Sequence, residues 1–304
     1  MTTRKYAPVV LFVFNRLSHT QQTVAALQQN LLAGQTELFV YADAARNEKE
    51  RKEVDEVRNY VRQITGFARL EVTERDTNRG LAENIIAGVT EVLSRYDRVI
   101  VLEDDLVTSP YFLTFMNEGL EKYKENDRVA QVNGHAFDLG KHMPDAFFIR
   151  FVDSWGWGTW ARSWELFNPR GQELLDALEA KGLCREFDFD GTYPFTRMLR
   201  RQVKGENDSW AIRWNASLFL HNKLSLNAGK SLVRNIGFDG SGTHCGKGDL
   251  FQTELSGGKL CVPETDRPEE SAFARERMKK MYRWQNSRIH KAWVLFRDKL
   301  KLRL

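Results

Sequence analysis

Three adjacent carboxylates, Glu103-Asp104-Asp105, come directly after an apolar run at 99–102. Acidic side chains this close together repel one another unless a positive charge lies among them. Their oxygens suit Mg²⁺ or Mn²⁺, which keep open positions for substrate phosphates. The alternative is a solvated acidic turn that favours the N-terminus of a helix starting near Pro110. The triplet therefore predicts either a divalent-metal site or an acidic turn before a helix.

Polar residues also follow three other apolar runs. Asn15-Arg16 come after the first run, Asp43 after the second, and Asn78-Arg79-Gly80 after a short third run. In doubly wound sheets, ligands bind beyond the carboxyl ends of the strands. We therefore expect these residues and the acidic triplet to form one crevice.

The elements that position these residues are predicted from hydrophobic periodicity. From residue 8, short apolar runs alternate with segments of helical period, which is typical of βαβ units and a largely parallel sheet. Strands are predicted at 9–14, 38–42, 70–72, 99–102, 129–132, 147–151 and 224–226. In the second half, helices are predicted at 171–181, 191–204 and 209–222, with an aromatic loop at 155–164 and a glycine-rich segment at 237–258. The predicted fold class is α/β, with a mostly parallel open sheet and helices on both faces.

Four helices in the first half have local signals of their own. One is predicted to begin at Ser18, where Gln21 completes a capping box, and to bury Val24, Leu27 and Leu31. A charged, exposed helix is predicted at 48–64. A helix after Gly80 is predicted to bury one apolar stripe: Leu81, Ile85, Val89 and Val92. Another is predicted to begin at Ser109-Pro110, a capping hydroxyl followed by a proline in the first turn.

The composition excludes several classes of protein. With 304 residues, 42% hydrophobic and 28% charged, the chain lies in the ordinary globular range and is long enough for a substantial core. The cysteines at 184, 245 and 261 are too far apart for a zinc site and are not a disulfide framework, so a reducing compartment is expected. No apolar run approaches the 18 or so residues of a spanning helix. These features predict a cytoplasmic protein.

The order of the motifs resembles a GT-A glycosyltransferase, a Rossmann-like fold. The shared features are Val-Phe-Asn-Arg after the first strand, an Asp after the second, and the segment from Val99 through the triplet to Phe112. The Glu-Asp-Asp form of the DxD motif is similar to that of N-acetylglucosaminyltransferase I and its bacterial relatives. The resemblance extends over about residues 7–246 and includes the segments 154–160, 207–210 and 231–237.

The resemblance implies roles for several residues of the crevice. Asp105 matches the metal ligand that bridges to the diphosphate of the donor, with Mn²⁺ or Mg²⁺ as the metal. Arg16 and Asp43 match residues that contact the nucleotide, Asp43 at the uracil or ribose. Glu103 and Asp104 match positions that contact the sugar and ribose. Asn15, Asn78, Arg79 and Gly80 are further donor-binding candidates because they follow predicted strands. No counterpart is found in 80–84 for the histidine that helps to bind uridine.

Asp208 matches the catalytic base of the relatives, although the second adjacent Asp is missing. Its alternative role is to cap a helix starting at Ser209. The glycine-spaced cluster Trp155, Trp157, Trp160 and Trp164 offers stacking faces for a sugar or acceptor, with Trp157 first, while buried packing is the ordinary alternative. Trp157, Trp160 and Trp210 are the predicted contacts. His244 is a candidate metal ligand in a glycine-rich stretch, or a structural or solvated histidine.

The net charge of +4 is unevenly distributed along the chain, because the positive charge is concentrated in residues 275–304. Residues 275–304 contain 11 Lys and Arg against two acids, so the rest of the chain is acidic. Five apolar residues in this tail recur at helical spacing: Ile289, Trp293, Phe296, Leu300 and Leu304. A basic amphipathic helix of this kind lies on an anionic membrane surface or docks on the domain. We expect a GT-A domain at 1–265, with a nucleotide-sugar half at about 1–133 and an acceptor half at about 134–265, followed by a basic helix at 266–304.

The expected function is metal-dependent, inverting transfer of a hexose or N-acetylhexosamine from a UDP-sugar to a glycan or lipid-linked glycan hydroxyl, in cell-surface polysaccharide synthesis. One alternative, a sugar nucleotidyltransferase, predicts a glycine-rich phosphate loop after the first strand, where Asn15-Arg16-Leu17-Ser18 has no glycine. Another alternative, a non-catalytic protein that binds glycans or nucleic acid, gives no reason for three carboxylates at the end of a core strand. We expect no nucleic-acid partner and a cytoplasmic protein, with the inner face of the membrane as a candidate docking surface.

Overall fold

The computed structural model describes residues 5–239 and 253–287. Its ten strands in these ranges are β1 Val9–Val13, β2 Glu37–Ala42, β3 Arg69–Glu74, β4 Arg98–Glu103, β5 Leu106–Thr108, β6 Val129–Asn133, β7 Ala146–Ile149, β8 Trp157–Trp160, β9 Leu224–Ala228 and β10 Val233–Asn235. The α-helices in the same ranges are α1 Leu17–Gln28, α2 Arg51–Val61, α3 Gly80–Leu93, α4 Phe112–Lys122, α5 Ala161–Trp164, α6 Gly171–Ala180, α7 Cys184–Phe187, α8 Phe195–Val203, α9 Trp210–Leu220 and α10 Ala272–Asn286. Two short 3₁₀ turns lie at Ala33–Gln35 and Glu48–Glu50.

Eight of these strands form one open sheet in the order β3-β2-β1-β4-β8-β6-β9-β7. The pairs among β3, β2, β1 and β4 are all parallel, and so is β6 with β9. Strand β8 is antiparallel to both of its neighbours, β4 and β6, and β7 is antiparallel to β9. The predicted α/β class with an open, mostly parallel sheet is confirmed. A separate two-stranded ribbon pairs β5 with β10 in antiparallel fashion.

Side chains of β1 alternate between two cores, because successive residues of a strand point to opposite faces. Val9, Leu11 and Val13 pack with α1, α2 and α4 on one face. Val10 and Phe12 pack with α3 and α9 on the other face. Helices therefore cover both faces, and the carboxyl ends of β1, β2 and β4 meet at one edge.

A third core lies where α6 to α9 pack beside β7. Helix α10 belongs to it, because Ala274, Met278 and Tyr282 on one side of that helix are buried. The described beginning of the basic tail therefore docks on the domain. The apolar stripe predicted between Ile289 and Leu304 lies outside the described residues. Within 5–239 and 253–287, no helix is long and apolar enough to cross a bilayer.

Several predictions about individual elements were wrong. Helix α1 starts at Leu17 with Arg16 as its N-cap and makes no side-chain capping bond, so the capping box at Ser18 does not form. Because α1 ends at Gln28, Leu31 lies beyond it and is 63% exposed. Leu81, in the first turn of α3, is also 41% exposed, whereas Ile85, Val89 and Val92 are buried. The predicted aromatic loop contains β8, a central strand.

Candidate functional site

Arg16 supplies the positive charge that the acidic triplet requires. Its guanidinium bonds both carboxylate oxygens of Asp104, and Nη2 also donates to Oδ2 of Asp105 at 2.9 Å. Asp104 and Asp105 are buried, with 5% and 7% exposure. Thr23 of α1 fixes the same turn by donating its hydroxyl to the Asp104 carbonyl at 2.8 Å. The ends of β1 and β4 thus form one electrostatic cluster.

The charges of this cluster do not cancel, since three carboxylates face one guanidinium. Burial and the neighbouring Asp105 and Asp104 carboxylates raise the pKa of Glu103. Burial also raises the pKa of Asp104, although Arg16 opposes this effect. Removing these groups from water lowers the pKa of Arg16, but the two aspartates outweigh that effect and raise it overall. The folded cluster therefore favours additional positive charge.

The donor atoms of the cluster fit a hard divalent cation. In the described ranges, no protein group donates to either oxygen of Glu103 or to Oδ1 of Asp105. No group of three or more His, Cys, Asp and Glu in those ranges is arranged to enclose a metal. Mg²⁺ and Mn²⁺ sites commonly use one or two carboxylates and complete their shell with water and substrate phosphates. Glu103 and Asp105 can supply such an open site.

The segment that follows β10 passes directly over Asp105. The Ile236 amide donates to the Asp105 carbonyl at 2.8 Å, and a Cβ on Gly237 would lie 2.2 Å from Oδ2 of Asp105 and 3.1 Å from Nη1 of Arg16. Only a glycine permits this approach. Beyond it, Asp239 pairs with His19 of α1 at 3.2 Å. Nη1 of Arg16 is buried without a partner in the described residues, so a donor group remains available beside Gly237.

Asp43 organises the neighbouring loop. Its Oδ1 accepts from the Ala44 and Arg79 amides, and its Oδ2 accepts from the Gly80 amide and from the Asn78 side chain, all at 2.9–3.1 Å. These four bonds occupy the four lone-pair sites of a carboxylate. Asp43 therefore connects β2 to the N-terminus of α3 and shapes the loop that carries Asn78, Arg79 and Gly80.

The three tryptophans proposed for the sugar or acceptor lie in the core. Trp157 is 1% exposed and stacks on Trp210 at 5.1 Å, and Trp210 is itself 4% exposed. Trp160 is 2% exposed, and its indole nitrogen donates to the Leu120 carbonyl at 3.0 Å. Because the sheet and its helices enclose these rings, they expose no face to a ligand in this structure. The partly exposed tryptophan of the segment 155–164 is Trp155, another member of the predicted cluster.

Asp208 lies just before α9 with its side chain 71% exposed, and it pairs with Arg213 at 3.0 Å. The helix cap is the next residue, Ser209, whose hydroxyl accepts from the Ile212 amide. The alternative role of Asp208 as the cap is therefore wrong, and its carboxylate is accessible. Asn15 lies at the end of β1 and is partly exposed. His244 lies outside the described residues.

Two contacts that complete the site were not predicted from the sequence motifs. Gly237 lies in the segment 231–237 that carries the resemblance, but its contact with Asp105 is visible only in three dimensions. Arg16 was expected near the nucleotide, and its bonds to Asp104 and Asp105 span 88 and 89 residues of sequence. For the Arg16 contacts, the sequence signal was that Arg16 and the triplet follow strands ending at the same edge. Gly237 follows β10 of the separate ribbon, so its contact with Asp105 had no such signal.

No protein-family model matches the chain, and no curated protein matches it. Among the solved structures similar to it are two of low identity. TarS from S. aureus is 13% identical with a TM-score of 0.32, over 48% of this chain and 25% of that chain. The mannosyltransferase PcManGT from Pyrobaculum calidifontis, in complex with GDP-Man and Mn²⁺, is 12% identical with a TM-score of 0.35, over 71% of this chain and 75% of that chain. The chain thus spans a quarter of the length of TarS, and scores this low establish no shared family.

Proposed function

We propose that the protein is a nucleotide-sugar glycosyltransferase of the GT-A type that works with a divalent metal. The observation that supports this proposal is the buried cluster of Arg16, Asp104 and Asp105 under Gly237, at the carboxyl edge of the sheet. Such an edge is where α/β proteins bind nucleotides. A cluster with spare carboxylate oxygens and a spare guanidinium N–H suits a metal-bound diphosphate.

Each residue of the cluster has a distinct task in this proposal. Free oxygens of Glu103 and Asp105 would hold Mn²⁺ or Mg²⁺, which when bound supplies positive charge to the leaving diphosphate. Arg16 would donate from Nη1 to a phosphate oxygen while its other nitrogens keep Asp104 and Asp105 in place. Asp43 would act by positioning Asn78, Arg79 and Gly80 around the nucleotide.

Transfer also requires a group that takes the proton of the acceptor hydroxyl. Asp208 is the proposed base, because its carboxylate is accessible and Arg213 fixes its orientation. A positioned general base typically contributes about 10²–10⁴-fold to the rate. Attack by an acceptor that a single base has activated proceeds with inversion at the sugar carbon.

The narrower features of the proposal come from the sequence resemblance. They are a UDP-sugar donor carrying a hexose or N-acetylhexosamine, a glycan or lipid-linked glycan acceptor, and a role in cell-surface polysaccharide synthesis. Membrane attachment through 275–304 is part of the same proposal. One side of α10 is not available to a membrane, because Ala274, Met278 and Tyr282 are already buried on the domain. Within α10, only the opposite side faces outward.

The structure gives one reason to prefer this function over nucleotidyl transfer. A nucleotidyltransferase would be expected to form a glycine-bearing phosphate loop after β1. Here only Phe14, Asn15 and Arg16 separate β1 from α1, and Arg16 is already the N-cap of that helix. A non-catalytic protein that binds glycans would gain nothing from a buried carboxylate cluster. In one that binds nucleic acid, the cluster would repel the phosphates.

An assay of nucleotide release tests the proposal. The full chain is incubated with UDP-glucose, UDP-N-acetylglucosamine or GDP-mannose, with simple glycosides as acceptors and with Mn²⁺, Mg²⁺ or a chelator. We expect release of the nucleoside diphosphate from at least one donor with metal, falling to background with chelator. Release that is unchanged by chelator would contradict the metal requirement, and no release from any donor would contradict the transferase.

A further inference from the structure

A buried aspartate–histidine pair lies near the end of β6, two strand positions from β4 and the proposed donor site. His135 follows the end of β6, and its Nδ1 lies 2.6 Å from Oδ2 of Asp153. The imidazole side chain is fully buried, and its Nε2 has no partner in the described residues. The other oxygen of Asp153 accepts from the Trp155 amide at 3.0 Å. One carboxylate thus fixes both the imidazole and the backbone of Trp155.

The ring of Trp155 is held on two sides. It meets His135 edge-on, with ring centroids 4.7 Å apart, and it meets Phe238 in the same manner at 5.6 Å. The next residue, Gly156, has φ +68°, and a Cβ there would lie 2.6 Å from a methyl group of Val233. The backbone after Trp155 therefore has little freedom to move. Even so, Trp155 is partly exposed, unlike Trp157, Trp160 and Trp210.

This ring lies just before β8, at the same edge of the sheet as the proposed donor site, because β8 runs antiparallel to β4. Strand β8 separates β4 from β6, so the ends of β4 and β6 are about 10 Å apart, which is two strand spacings. The segment 231–238 links the two places. Ser231 accepts from the Ala136 amide, Gly237 lies on Asp105, and Phe238 packs on Trp155. A sugar that extended from a diphosphate at Asp105 along this edge, away from β1, would reach Trp155.

We propose that Trp155 is the stacking platform for a pyranose ring and that His135 and Asp153 are its positioning residues. This inference rests on the proposed function. The apolar C–H face of a pyranose packs well on an indole ring, and aromatic side chains commonly line small-molecule sites. A buried Nε2 without a hydrogen bond is destabilising, and such a cost is more readily tolerated at a functional site than in an ordinary core.

Fluorine NMR tests the platform directly. The chain is labelled with 5-fluorotryptophan, which gives one signal for each of its eight tryptophans, and Trp155→Phe identifies the signal of Trp155. With Mn²⁺ present, we expect that signal to shift on adding a nucleotide sugar but not on adding UDP or GDP alone. This result would assign the platform to the sugar of the donor. A shift only with methyl glucoside or methyl N-acetylglucosaminide would assign it to the acceptor. If no nucleotide sugar or glycoside shifts it, the proposal is overturned.

Kinetics of three variants complete the test. We expect Trp155→Ala and His135→Gln to raise KM for the sugar-bearing substrate about tenfold, with unchanged affinity for UDP or GDP, and Trp155→Phe to recover part of the loss. A merely structural role would lower nucleotide affinity and thermal stability together. Trp284→Ala, at an exposed tryptophan of α10, should match the wild type. If the wild type turns over a donor and Trp155→Ala does so equally well, only this inference fails, whereas an inactive wild type defeats the proposed function.

Discussion

Replacing Asp105 with Asn is expected to lower kcat/KM for sugar transfer by about 10³-fold, or about 4 kcal/mol of transition-state stabilisation. The substitution keeps the shape of the side chain and an oxygen that can accept from Arg16, but it removes the charge that would hold a metal against the diphosphate. Thermal stability should not fall, because one of three repelling carboxylates becomes neutral. The measurement is steady-state nucleotide release together with a melting curve.

Glu264→Gln is the matched control for Asp105→Asn. Glu264 is also an acid paired with one cation, Lys122, but its side chain is 87% exposed and it belongs to the loop before α10. This variant should retain wild-type turnover. Equal activity in Asp105→Asn and the wild type would remove the acidic cluster from the mechanism. An Asp105→Asn variant that unfolds at a lower temperature would instead assign Asp105 a structural role.

Replacing Gly237 with Ala is expected to have the second largest effect. The added Cβ would lie 2.2 Å from Oδ2 of Asp105 and 3.1 Å from Nη1 of Arg16, far inside contact distance. Either the 236–239 segment or the Asp105 carboxylate must then move. A displacement of about 1 Å at a reacting centre can cost about 10²-fold in rate. We expect a loss of that size in kcat/KM, measured by the same nucleotide-release assay.

Gly257→Ala separates this steric effect from the general effect of losing a glycine. A Cβ on Gly257 meets no atom within 4 Å, so turnover should be unchanged. If Gly237→Ala behaves like Gly257→Ala, the 236–239 segment is not part of the donor site. The comparison isolates the contact with Asp105, because the two substitutions are identical in chemistry and differ only in what surrounds the new methyl group.

Strands β1, β2 and β4 were predictable because they are buried on both faces. Continuous apolar runs such as 9–13 and 99–102 indicate parallel strands covered by helices, and β1 and β4 lie where those runs are. Strand β8 was missed because its sequence, Trp-Gly-Thr-Trp, is short and rich in aromatic residues and has no alternation pattern. Its position between β4 and β6 comes from pairing over more than 20 residues of sequence, which local patterns do not encode.

The residues that form the site were more predictable than the contacts among them. Strand ends identified Arg16, Asp43 and the acidic triplet as neighbours, because parallel strands share one carboxyl edge. The sequence did not reveal that the lone pairs of Asp43 are all occupied within the protein, nor that Gly237 covers Asp105. The tryptophans show the same limit. Residue type suggested sugar contacts for all of them, and only packing distinguishes the partly exposed Trp155 from the buried Trp157.

Binding of Mn²⁺ in the presence and absence of a nucleoside diphosphate tests the central claim most directly. Free Mn²⁺ is measured by electron paramagnetic resonance during titration of the full chain, with UDP, with GDP and with neither. We predict one site per chain whose affinity rises when a nucleoside diphosphate is present, retained in Glu264→Gln and lost in Asp105→Asn. Equal Mn²⁺ binding by the wild type and Asp105→Asn, or no effect of either nucleotide on wild-type binding, would contradict the claim that this cluster holds a metal-bound diphosphate.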